Sequence, residues 1–103
     1  MELHPHYQFK DTKVVLSIQG SSFHYCEPRE DFAHLSDYTQ VELAILDDHG
    51  FFEARDLGIE GFDDLWENGD GEVAGYVPYD RAMALLEAMK LKYGGLVPNP
   101  DSL

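Results

Sequence analysis

The chain has 103 residues and a formal net charge of −13, with a single cysteine. That length allows one domain with one core, and the lone Cys26 allows no internal disulfide. A charge of this sign repels nucleic-acid phosphates and anionic lipid, so direct nucleic-acid contact and membrane binding are excluded as expectations. Thirteen aromatic residues, six Phe, six Tyr and one Trp, argue against a disordered acidic tail. The charge decorates a fold.

The acid is not evenly spread. Residues 27 to 80 contain sixteen of the twenty carboxylates and only two basic residues, Arg29 and Arg55. The segment alone is therefore −14, and the remainder nearly cancels. Residues 1–12 are expected to be a loose arm, with His4 and His6 on either side of Pro5. No basic stretch with an apolar run opens the chain, and no run reaches the length of a membrane span. Together with the single cysteine, this points to the cytoplasm.

Val14 to Gln19 alternates with period two and is rich in β-branched residues, which predicts a strand. Val14, Leu16 and Ile18 take one face; Val15, Ser17 and Gln19 take the other. Phe23 to Cys26 is expected to be a second short strand ended by Pro28. It would put Phe23 and Tyr25 on one face and His24 and Cys26 on the other. Glu27 to Thr39 reads as a loop, in which Phe32, Leu35 and Tyr38 permit a helical turn.

Gln40 to Asp47 is the clearest strand, with Val41, Leu43 and Ile45 alternating with Glu42, Ala44 and Leu46. Asp47-Asp48-His49-Gly50 predicts a hairpin turn, and Phe51 to Arg55 the returning strand. Asp56 to Glu72 combines four glycines with seven carboxylates. Within it, Phe62, Leu65 and Trp66 recur at helical spacing and would pin one turn to the body. Val73 to Val77 predicts a last strand, with Gly75 marking a bulge or a close approach. Asp80 is the expected N-cap of a helix over 81–92. Its apolar stripe is Ala82, Leu85, Leu86, Met89 and Tyr93, and Gly94-Gly95 stops it. Residues 96–103 are expected to be a loose tail. The resulting fold class is α+β: two layers, a four- or five-stranded mainly antiparallel sheet packed by one C-terminal helix. The sheet face turned away from the helix, with Val15, Phe51 and Tyr76, would be only partly solvated, which points to an oligomer or a docking surface.

Chemistry-bearing motifs are sparse. His24 and Cys26 are suitable metal or catalytic residues, but neither a Cys-x-x-Cys pair nor a His-Glu-x-x-His pattern accompanies them. A full zinc ligand set would have to recruit His34 or His49. An EF-hand started at Asp56 puts Gly61 and Glu67 at the right positions but Gly58 where a ligand belongs. No nucleophile elbow or phosphate loop is present. The expectation is thus a non-enzymatic protein-interaction module, without cofactor, whose partner is a basic protein surface or a second copy of itself. The candidate contact residues are Phe62, Asp63, Asp64, Trp66, Glu67, Asp70 and Glu72. Trp66 also has a plainer reading, as the staple that holds a glycine-rich loop to the core.

Two alternatives stand beside this. Carboxylates at regular intervals can imitate a phosphate backbone and fill a basic groove, as in small phage-borne inhibitors of this size and charge. The other is a small metal-binding protein or enzyme that uses His24 and Cys26. Self-repulsion within residues 27–80 yields a first prediction: moderate salt screens it and stabilises the fold. Thermal melts at about 20 and about 300 mM NaCl should show the higher midpoint at the higher salt.

Overall fold

A computed structural model describes residues 4, 6–47, 50–52, 57–66 and 73–97. Its sheet contains β1 (Tyr7–Gln8), β2 (Val15–Gln19), β3 (Gln40–Asp47), β4 (Gly50–Phe52) and β5 (Val73–Pro78). One helix, α1 (Tyr79–Lys92), follows β5 directly. Single 3-10 turns occupy Leu35–Asp37 and Asp63–Trp66. The fold is the expected two-layer α+β arrangement: an antiparallel sheet covered by a single C-terminal helix. Four strands have three or more residues, and the two-residue β1 adds a fifth at the edge.

β3 is the axis of the sheet. Its one side pairs with β2 over the whole of β2, from Val15↔Leu46 to Gln19↔Glu42. Its other side is divided: Ile45 to Asp47 pair with β4, and Gln40 to Ala44 with β5. Side-chain alternation sends Val41, Leu43 and Ile45 to the helix face, where all three are fully buried. Leu16 and Ile18 join them from β2, and Ala82, Leu85, Leu86 and Met89 meet them from α1. The predicted α1 stripe is thus the one that packs.

The expected strand over Phe23–Cys26 does not form. The Ser21 hydroxyl accepts the Phe23 amide, and the Cys26 amide donates to the His24 carbonyl. Such local bonds offer the backbone an alternative to a ladder. Glu27 makes one isolated bridge to Gln40, and Tyr25 bonds to Glu42 and Tyr76 without forming a strand. The helical turn in this connection is present, as Leu35–Asp37. Asp48, His49 and 53–56 lie outside the described residues; the hairpin is seen in the antiparallel pairing of β3 with β4, from Asp47↔Gly50 to Ile45↔Phe52.

β5 departs from its expected alternation. Val41 pairs with Val77 and Leu43 with Ala74, so Glu42 alone stands opposite Gly75 and Tyr76. This is a bulge, and it explains why Ala74 and Val77, three positions apart, are both buried. Asp80 is not the N-cap of α1. Pro78 holds that position, and the Tyr79 amide donates to the Thr39 carbonyl instead. Asp80 sits inside the first turn, where the helix dipole favours its charge.

Parts of the two segments expected to be loose pack against the fold. Residues 1–3, 5 and 98–103 lie outside the described set, but 6–11 and 96–97 are built into the fold. The Asp11 and Lys10 amides donate to the Tyr93 and Gly95 carbonyls, at the end of α1. Phe9 is buried beside Tyr93 and bridges to Leu96, and the Val97 amide donates to Gln8. Carbonyls that a helix end leaves unpaired thereby find donors. Gly94 takes φ +79°, a conformation that side chains rarely adopt, and backs onto the Asp11 carboxylate.

Tyr38 joins the loop 27–39 to the core. It is buried, donates to the Glu30 carbonyl at 2.6 Å and accepts the Phe32 amide at 2.9 Å. Tyr38→Phe should cost about 1–3 kcal/mol, because the Phe32 amide and Glu30 carbonyl lose their partner. Burial also raises the Tyr38 pKa, so its contribution is complete below the ordinary tyrosine value and disappears as pH rises through the raised one. Chemical melts of wild type at about pH 9 and about pH 11 should show the loss, and Tyr38→Phe should reduce it.

Candidate functional site

The sheet face turned away from α1 has no helix to cover it. Ser17 and Gln19 from β2, Glu42, Ala44 and Leu46 from β3, and Val73 from β5 all lie there. Ser17 and Ala44 are nonetheless buried, because two other segments rise on either side. One is the N-terminal arm. The Gln19 side chain accepts the His4 amide at 2.8 Å and donates to the His4 carbonyl at 2.7 Å. This two-way bond holds the arm against β2 as a further strand would. The second is the connection 20–27, whose hub is Ser21. Its hydroxyl lies 2.7 Å from His24 Nδ1, and its carbonyl accepts the Cys26 thiol at 3.1 Å. His6 from the arm and His24 from the connection complete a pocket of about 260 Å³.

Beside Glu42, one of the residues that line this pocket, stands an aromatic lip, Tyr25 with Tyr76. Tyr25 turns its amide to Glu42 Oε2 at 2.9 Å and its carbonyl to the Tyr76 amide at 2.8 Å. The Tyr76 amide is available because the bulge removes it from the ladder. Tyr76 has φ +54°, the left-handed region that a bulky residue rarely takes. The Tyr25 and Tyr76 rings are 6.1 Å apart, and the Arg29 guanidinium lies 6.0 Å from the Tyr25 ring centre. Gly75 is required beneath Tyr25: a Cβ there would come within 2.8 Å of the Tyr25 Cβ. Phe23, Tyr25 and Tyr76 are 74%, 51% and 45% exposed. The Tyr25 and Tyr76 rings lie together, and an exposed aromatic pair is informative in a way that a scattered apolar residue is not.

The acidic loop is arranged differently. Trp66 is only 5% exposed and Leu65 is buried beside it, so Trp66 is the staple of this segment. Its indole N–H has no hydrogen-bond partner among the described residues. Phe62 is half-buried against the core, while Asp63 and Asp64 point outward. Asp64 is already engaged. Arg81 donates to both of its oxygens, at 2.6 and 3.0 Å, and to the Gly61 carbonyl at 2.8 Å. The same guanidinium lies 5.9 Å from the Phe62 ring centre. The Arg81 hydrogen bonds hold the Asp64 carboxyl below its usual range. Of the predicted contact set, Glu67, Asp70 and Glu72 lie outside the described residues.

His24 and Cys26 share no strand face. Cys26 is fully buried, its thiol turned to the Ser21 and Pro28 carbonyls, and burial pushes its pKa up. That environment disfavours the thiolate that metal binding or nucleophilic attack requires. Ser21, though paired with His24, is 1% exposed, and its hydroxyl already accepts the Phe23 amide. His34 is exposed at the start of the Leu35–Asp37 turn. Among the described residues, no three His, Cys, Asp or Glu side chains come together as metal ligands. No helix among them is long and apolar enough to cross a membrane.

The pocket and its lip escaped sequence reasoning except for two signals. One is Gly75, expected as a bulge or a close approach, which is both. The other is the expectation that the sheet face turned away from the helix is a docking surface. No family model, curated protein or solved structure matches this chain.

The Arg81 clamp predicts an acid response. A carboxyl with lowered pKa contributes above its ordinary value and ceases to as pH falls through the lowered one. The protection factors of the 61–66 amides should therefore fall below about pH 4, and Arg81→Leu should produce the same fall at neutral pH. The global melting midpoint should move little, because the pair is solvent-exposed.

Proposed function

We propose that this chain is a non-enzymatic acidic interaction module that docks on a basic protein surface through the aromatic lip formed by Tyr25 and Tyr76, with the exposed Phe23 two residues before Tyr25. The observation that carries this reading is Tyr76 itself: an exposed ring held at positive φ, packed against a second exposed tyrosine. A bulky residue in that conformation costs on the order of 1–3 kcal/mol and persists only where its surroundings impose it. Burying the two tyrosines and Phe23 against a partner would recover apolar area, and tyrosine is among the residues that dominate binding energy. The carboxylates of residues 27–80 supply the long-range attraction, which speeds encounter and selects a basic partner over an acidic one. The exposed acids Glu27, Glu30, Asp31 and Asp37 lie in the connection that follows the lip. On this reading Asp63 and Asp64 contribute field, and Trp66 contributes stability. Imitation of a phosphate backbone is a narrower form of the same function, with the partner's nucleic-acid groove as the target.

The test is capture of a partner at physiological salt, its identification, and measurement of its affinity for three proteins. Wild type should bind a partner with a basic surface. Tyr76→Asn should bind at least about tenfold more weakly while melting no lower, because asparagine tolerates left-handed backbone. Asp63→Lys with Asp64→Lys should weaken binding chiefly at low salt. Undiminished binding by Tyr76→Asn combined with Tyr25→Ser would overturn the assignment of the lip. Displacement by the partner's own nucleic acid would identify mimicry.

A further inference from the structure

The geometry points to a specific occupant for the pocket on the open sheet face: one arginine side chain of the docked partner. This inference rests on the interaction reading and adds to it the residue that is recognised. At about 260 Å³, the pocket falls just below the roughly 300–1,000 Å³ of sites for drug-sized ligands, which suits a single side chain. Its lining divides by chemistry. Ala44, Leu46 and Val73 provide an apolar floor for an aliphatic stem, while Glu42 provides the one carboxylate. One Glu42 oxygen is fixed by the Tyr25 amide, so the carboxylate is oriented before any ligand arrives. Its other oxygen has no partner among the described residues. Arginine buries its stem along apolar surface and presents planar donors to a carboxylate, and it stacks on aromatic faces.

The chain already holds its own guanidinium groups by this chemistry. Arg81 lies by the Phe62 ring with a paired Asp64 carboxylate and a backbone carbonyl. Arg29 lies over the Tyr25 ring at the lip. At the pocket a carboxylate recurs beside an aromatic residue, since the Tyr25 backbone amide is bonded directly to Glu42. The net charge of −13 supplies the complementarity on the larger scale and disfavours an anionic occupant.

The experiment is an amide-resolved NMR titration of the full chain at physiological salt with a capped Gly-Arg-Gly peptide. Its comparisons are the citrulline and lysine analogues and an oligo-arginine peptide. Wild type should show shifts centred on Ser17, His24, Glu42, Ala44 and Val73 with the arginine peptide. The lysine analogue should bind more weakly, and the neutral citrulline analogue should give none. Glu42→Gln retains an acceptor for the Tyr25 amide and should keep the native spectrum. It should bind the arginine peptide at least about tenfold more weakly, whereas Glu87→Gln, on the helix side with the same change of charge, should bind as wild type does. Equal weakening by the two variants, or shifts spread over all the exposed acids, would overturn the pocket assignment. If oligo-arginine binds wild type and Glu42→Gln equally, the interaction reading stands and the pocket falls. Failure of oligo-arginine to bind at all removes both. A second copy of this chain as the occupant would appear as concentration-dependent shifts at the same residues without peptide, and would also overturn the arginine assignment.

Discussion

One helix must serve a sheet that has two faces. β3 is paired along both edges, and its helix-side residues Val41, Leu43 and Ile45 are fully buried. The opposite side of the same strand carries Glu42, Ala44 and Leu46, and α1 cannot reach it. An exposed central strand with two apolar residues out of three is a liability, since it invites association. The chain reduces that liability with its own connections. The Gln19 bonds to His4 lay the arm along β2, and Ser21 gathers the 20–27 connection into a compact wall. A hollow remains between them, and its floor is the part of β3 that neither wall covers. The pocket thus follows from the ratio of helix to sheet in a small domain.

The bulge in β5 determines what borders that hollow. Without it, Ala74 and Val77 would fall on opposite faces, and one would be lost from the core. With it, both are buried, and the two intervening residues must adopt unusual positions. Gly75 does so by having no side chain, which lets Tyr25 pack directly above. Tyr76 does so by taking positive φ, which frees its amide for the Tyr25 carbonyl. Core packing and the exposed aromatic lip therefore have a common origin. Glycine or asparagine at position 76 would fit the backbone more easily, so local geometry alone does not explain a tyrosine there. The proposed contact with a partner would supply a reason for its exposed ring beside Tyr25.

Elements whose signal is local could be read from the residues themselves. β3 appears over the expected 40–47 because its alternation is unbroken. The α1 stripe and the Phe62, Leu65, Trp66 turn follow from helical spacing. What could not be read were bonds between distant positions. Nothing near Lys10 or Asp11 announces that their amides will close the end of α1, more than eighty residues later. Nothing near Tyr79 indicates that Thr39 will accept its amide, so Asp80 looks like a better cap than it is. Ser21 misleads in a related way. A serine, a histidine and a cysteine close in sequence resemble a reactive site, yet here they bond chiefly to neighbouring backbone and to one another. Hydrogen-bond competition from the Ser21 hydroxyl removes the very strand on which His24 and Cys26 would have shared a face.

The acidic block finally divides according to what each carboxylate touches. Asp64 is neutralised within the molecule by Arg81, and Asp31 is bound by the Ser22 amide and hydroxyl. Glu42 is different, since among the described residues its carboxylate is bonded to an amide, which orients it without cancelling its charge. An oriented, half-buried carboxylate above an apolar floor interacts with a cation more strongly than a freely solvated one does, because less water competes for it. The surrounding acids raise the local concentration of cations but cannot by themselves discriminate among them. Discrimination requires a fixed charge beside a surface of defined shape. In this molecule that combination occurs where the bulge, the Tyr25 connection and the uncovered face of β3 meet.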